Sequence, residues 1–106
     1  MIRIVPPEAL REMFNYCPIS GKVTHRISRG RAFAGDEAGS IRDDGYRVIK
    51  VSYEGRRVQM MAHIIAWAIH HGHYPETEID HHDTIRTNNA IHNLRPANRS
   101  TGDEPA

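Results

Sequence analysis

The stretch Ile79-Asp80-His81-His82-Asp83-Thr84-Ile85-Arg86-Thr87-Asn88-Asn89-Ala90-Ile91-His92-Asn93-Leu94-Arg95 constrains this chain more than any other segment. A carboxylate stands directly before an imidazole, and three asparagines follow within the same stretch. Neutral imidazole accepts a proton near pH 7, and a carboxylate holds a hard cation. Asparagines lock turns by hydrogen-bonding nearby backbone. On an extended strand Asp80 and His81 point to opposite faces. They therefore either share a site through a twist or take separate jobs, Asp80 on a divalent metal and His81 as general base for a water. These are the components of a metal-assisted hydrolase.

The text upstream reads as an α+β chain. Pro6-Pro7 before Glu8-Ala9-Leu10-Arg11-Glu12-Met13-Phe14 predicts a short helix whose Leu10, Met13 and Phe14 dock on a core. Pro18-Ile19-Ser20-Gly21 breaks it, and residues 22–26 read as a short strand. Residues 27–42, with Gly30, Gly35 and Gly39, read as a loop. Residues 45–53 and 56–60 read as a hairpin about Glu54-Gly55. One face of its first strand carries Arg47, Ile49 and Val51, the other Tyr46, Val48 and Lys50, so the pattern alone leaves the buried side open. Ala62 to His71 is the best helix, with Met61, Ile64, Ile65, Ala68 and Ile69 at helical spacing and Gly72 as a stop. Trp67 and His63 lie beside that stripe and read first as core residues. Ile79-Asp80-His81 then predicts a short strand.

Bulk properties narrow the classes. A chain of 106 residues is expected to be one compact domain, with residues 1–60 holding the first helix and a small sheet and residues 61–106 the second helix and the motif. No apolar run approaches the roughly 20 residues of a membrane span, no secretion signal opens the chain, and Cys17 is the only cysteine. A cytoplasmic location is the corresponding expectation. Net charge is only +1, but the basic residues cluster: Lys22, Arg26, Arg29 and Arg31 without an acid among them, then Arg56-Arg57, then Arg95 with Arg99. Strips of this kind bind phosphate even in a near-neutral chain.

The order Asp-His-x-Asp, Asn-Asn, Asn-Leu-Arg resembles the HNH endonucleases of bacteriophages, members of the His-Me finger (ββα-metal) nucleases. Gly35-Asp36-Glu37-Ala38-Gly39-Ser40, Gly45-Tyr46-Arg47, Ala62-His63-Ile64-Ile65-Ala66-Trp67 and Tyr74-Pro75 resemble that group in the same order. The resemblance implies hydrolysis of DNA phosphodiester bonds by a C-terminal ββα-metal motif, with no small-molecule cofactor and no membrane partner. It makes Asp80 the first metal ligand, for Mg²⁺ before Mn²⁺, and His81 the general base. It gives Asn93 the pinning of the loop between two strands, which orients the base, and gives Asp83, Asn88 and Asn89 the shaping of that loop. Arg26, Arg29, Arg31, Arg47, Arg95 and Arg99 are the candidates for DNA contact.

Two positions depart from the family pattern. Thr84 stands where the family usually has Gly, and a β-branched residue suits a positive φ poorly. The family's second metal ligand falls nine residues past Asn93, at Gly102, in a stretch poor in helix formers, so the last helix is expected to be shortened. A catalytically impaired DNA-binding relic is therefore an alternative. A further one is a metal-binding module built on His70-His71, His73 and His81-His82, although these lack zinc-finger spacing and cysteine partners.

Overall fold

A computed structural model describes residues 5–28 and 32–97. Helix α1 (Pro7–Met13) has proline in its first turn and Glu8 near its free N–H groups, and it buries Leu10 fully. It stops before Phe14, inside the expected 8–14 span. Phe14 turns extended and opens β1 (Phe14–Tyr16), which pairs antiparallel with β2 (Val23–His25). Phe14 still reaches the core from its strand.

The second sheet has the order β3 (Ser40–Ile41), β4 (Arg47–Tyr53), β5 (Arg56–Met61), all antiparallel. β3 lies inside the stretch expected to be loop. β4 begins at Arg47 rather than at Gly45, because Gly45 takes φ 91° and closes a turn through its N–H to the Arg42 carbonyl. The buried side of β4, open in the sequence, is the one bearing Ile49 and Val51, with Val48 also covered.

Helix α2 spans Ala62–His71 as expected and ends at Gly72, whose φ of 84° lets its N–H reach the Ala68 carbonyl. Its buried face is turned slightly from the expected stripe: Ala62, His63, Ile65, Ala66 and Ala68 are buried, while Ile64 and Ile69 are half-buried. Small alanines allow close approach to the sheet, so the larger isoleucines on the flanks are covered only in part. Beyond α2, β6 (Ile79–His81) pairs with β7 (Leu94–Pro96), and a one-turn 3₁₀ helix at Ile91–Asn93 leads into β7.

Val5, Leu10, Phe14, Val23, Ile49, Val51, Ile65, Ile79 and Leu94 belong to one hydrophobic cluster, so α1, α2 and five of the described strands lean on the same core. The architecture is α+β, with two short α-helices among small antiparallel sheets in the described residues. The closing helix expected after β7 lies outside the described residues. Among the described residues no helix is long and apolar enough to cross a membrane.

Candidate active site

The site is built on the β6–β7 hairpin. The ladder sets Asp80 opposite Arg95 and His81 opposite Leu94. Ile79 and His81 face inward while Asp80 is exposed, as alternation requires. The two residues of the Asp-His pair therefore work from different sides of one short strand.

The loop between β6 and β7 is tied by its own side chains. One oxygen of the Asp83 carboxylate accepts the Ile85 N–H at 2.8 Å and the Asn93 amide at 2.9 Å; the other accepts the Asn88 amide at 2.7 Å. The Asn93 amide also donates to the Asn88 carbonyl at 2.8 Å, and its oxygen accepts the Asp83 N–H at 3.0 Å. Asn93 is 3% exposed, and both ends of its side chain are used. The Asn88 hydrogen bond first, then the Ile85 N–H, hold the Asp83 carboxyl below the usual carboxylate range. Asp83 thus remains an anion that organises the turn. Thr84, in the position where glycine was expected, takes φ 64°.

His81 is 8% exposed, and its Nε2 lies 2.8 Å from the Asn89 side-chain oxygen. An amide oxygen only accepts, so in the neutral ring Nε2 carries the hydrogen and Nδ1 keeps the lone pair. Direct contact with the imidazole thus comes from Asn89, while Asn93 acts further back by tying Asp83 and Asn88. His63 packs edge-on against His81 with ring centroids 4.9 Å apart. Tyr46 covers both rings, at 5.5 Å from His63 and 6.0 Å from His81, and the Arg86 guanidinium lies 4.9 Å above Tyr46. Burial first, then the neighbouring His81, push the His63 imidazole down to about 4. His63 is therefore neutral wherever His81 works as a base.

Asp80 presents an exposed carboxylate next to this imidazole in sequence. Mg²⁺ is commonly held by one or two carboxylates together with waters and substrate phosphate, so this donor fits such an ion. Among the described residues no group of three or more His, Cys, Asp or Glu could hold a metal, which leaves His70, His71 and His73 without a shared site.

The basic candidates divide. Arg26 donates to the Arg11 carbonyl at 2.9 Å, and Arg47 donates to the carbonyls of Ala38 and Gly39 and pairs with Glu37 at 3.3 Å. Arg26 thus ties the end of β2 to α1, and Arg47 ties the turn before β3 to β4. Arg95 is exposed beside Asp80 across the ladder. Arg29, Arg31, Arg99 and Gly102 lie outside the described residues. The sequence reading missed the packing of His63 on His81 and the role of Arg86. Neither has a local signal, since a histidine on an apolar helix face looks the same whether it packs on a leucine or on another imidazole.

Residues 60–101 match the model of a family described as HNH endonuclease. The fold is similar to a solved structure titled "DNA binding and cleavage by the HNH homing endonuclease I-HmuI", with 25% identity and a TM-score of 0.60 over 83% of this chain. The chain spans 48% of that protein's length. No curated protein matches the chain. The matched region contains α2, β6, the asparagine-tied loop and β7.

Proposed function

We propose, taking as premise a chain of HNH endonuclease type in its fold and in residues 60–101, that it is a metal-dependent endonuclease hydrolysing DNA phosphodiester bonds, with His81 as general base and Asp80 as metal ligand. The observation that carries this is the hydrogen bond from His81 Nε2 to Asn89. It leaves Nδ1 as the single basic atom of a ring held by His63 and Tyr46.

In this reading Nδ1 removes a proton from a water, and the resulting hydroxide attacks the phosphorus while the 3′ oxygen departs. The resulting imidazolium keeps its second N–H on the Asn89 oxygen. The chemistry a bound divalent cation supplies, Mg²⁺ before Mn²⁺, is neutralisation of charge on the phosphate and on the departing oxygen. Asp80, exposed on β6, is the residue that would hold such a cation. Arg95, exposed beside it, is placed to contact the DNA backbone, and the basic stretch around Arg26, Arg29 and Arg31 supplies the wider electrostatic attraction, with Arg99 as a further phosphate contact. Arg47 serves the DNA-facing region by holding its loops.

The test is plasmid cleavage across Mg²⁺, Mn²⁺ and chelator, run beside His81→Ala. Cleavage that needs the metal and is abolished by His81→Ala, with DNA binding retained, is the expected result. Metal-independent cutting, or cutting that survives His81→Ala, defeats the assignment. Gly102 at the position of the family's second ligand favours one further outcome, salt-sensitive DNA binding without cleavage, which would mark a relic of such an enzyme.

A further inference from the structure

We propose that the β1–β2 hairpin is a buttress for the general base, with Tyr16 a positioning residue that acts through Asn89 on His81. This rests on His81 being the base, but its geometry is independent of cleavage.

Three consecutive residues of the motif loop are held from the N-terminal hairpin. The Tyr16 hydroxyl donates to the backbone carbonyl of Asn89. Gly21 lies so close to Asn89 and Ala90 that a Cβ on it would stand 2.2 Å from the Ala90 nitrogen and 2.4 Å from the Asn89 carbonyl carbon. Ile91 donates its N–H to the Pro18 carbonyl at 2.9 Å. The hairpin end making these contacts is itself closed, with Gly21 N–H on the Cys17 carbonyl at 2.7 Å and Cys17 N–H on the Lys22 carbonyl at 3.0 Å.

Asn89 is the residue whose side chain hydrogen-bonds the His81 ring, and it is 3% exposed. Its amide can aim at Nε2 only while its own peptide stays in place. The contacts within the loop, through Asp83, Asn88 and Asn93, tie residues on either side of it and leave the Asn89 carbonyl to Tyr16. Burial, then the neighbouring Cys17, raise the Tyr16 phenol above its ordinary range, so the hydroxyl keeps its hydrogen and stays a donor throughout the working pH range. A displacement of about 1 Å at a catalytic group costs on the order of 100-fold in rate, so a single peptide contact is enough to matter.

The test is Tyr16→Phe in the full chain, read by ¹⁵N NMR of the His81 ring and by steady-state DNA cleavage. Native His81 should show one neutral tautomer with hydrogen on Nε2. In Tyr16→Phe the ring should become a tautomer mixture, and kcat should fall about tenfold with KM within about twofold. Tyr53→Phe, the same chemical change on β4, should leave both readouts native. A folded Tyr16→Phe with native His81 signals overturns the buttress. A tautomer shift in a chain whose native form cuts no DNA upholds the buttress and defeats the nuclease assignment. Should Tyr16→Phe not fold, amide exchange in the native chain decides: protection of the Ile91 N–H upholds the docking, and fast exchange overturns it.

Discussion

His63 and His81 meet edge to face with their ring centroids 4.9 Å apart, both nearly closed off from solvent. One comes from α2 and the other from β6, and the hydrophobic core shared by these two elements sets the distance. Two imidazoles this close cannot comfortably both be charged. Burial first, and then the neighbouring His81, keep His63 neutral.

The sign of the resulting pH dependence follows from the direction of that shift. A histidine of ordinary pKa 6.5 that falls to about 4 on folding binds fewer protons in the native state than in the unfolded one. Its contribution is fully present above 6.5 and is lost as pH falls from there towards 4, by up to about 3 kcal/mol. Denaturant midpoints measured from pH 7.5 to 4 should decline over that window, and His63→Phe should flatten the decline. An equal decline in His63→Phe would locate the effect elsewhere. Asp83 acts in a lower window, since a depressed carboxylate loses its stabilisation only as pH drops through and below its ordinary value of 3.8.

Asn93→Ala should destabilise the chain by about 1–3 kcal/mol, because it removes a buried amide and takes away its hydrogen bonds to the half-buried Asp83 N–H and Asn88 carbonyl. Asn93→Asp should fail nearly as badly, since the new carboxylate would face Asp83 where an amide now donates to it. Urea unfolding of both variants checks this; a cost within 0.5 kcal/mol, about the scatter of surface substitutions, would remove Asn93 from its role in tying the loop.

Thr84→Gly should stabilise the chain by about 0.5–1 kcal/mol. The strain of a β-branched residue in the left-handed region is of order 1–2 kcal/mol, and the greater freedom of glycine when unfolded offsets part of the gain. Thermal denaturation of native and variant chains reads it directly, and a lower Tm would show that the Thr84 hydroxyl bond to the Asp83 carbonyl outweighs the strain.

Glu54→Asn addresses the same physics in a second place. Glu54 and Gly55, at φ 51° and 77°, form the two-residue turn between β4 and β5, and positive φ at both central residues is the geometry that Asn-Gly adopts most readily. A stabilisation of about 0.5–1 kcal/mol is expected from removing the misfit. No change in the chemical denaturation midpoint would mean that Glu54 already sits at little cost.

Local signals accounted for much of the architecture. α2 ends at Gly72 because the apolar spacing and the glycine stop agree, and the 54–55 turn and β6 stand where their residue types put them. Thr84 was readable as a misfit before its φ was known, because an Asp-Thr turn in place of Asp-Gly has a physical consequence. β1 and β3 left no trace, since two or three residues carry no period and depend on a partner strand to become extended. Arg26 and Arg47 drew attention as phosphate ligands because charge is visible in a sequence, whereas the carbonyls that engage them are not.

The candidate chemistry was legible from Asp80, His81 and the three asparagines, because their residue types and order are a local matter. The division of labour among those asparagines was not. Only the fold puts the Asn89 side chain on Nε2, Asn93 behind Asp83, His63 edge-on to the base and Tyr16 beneath the Asn89 peptide. Those contacts join residues far apart in the chain, brought together by packing on one shared core. Spacing along a sequence encodes which groups can react; the direction in which the base points is set by contacts that exist only once the core has closed.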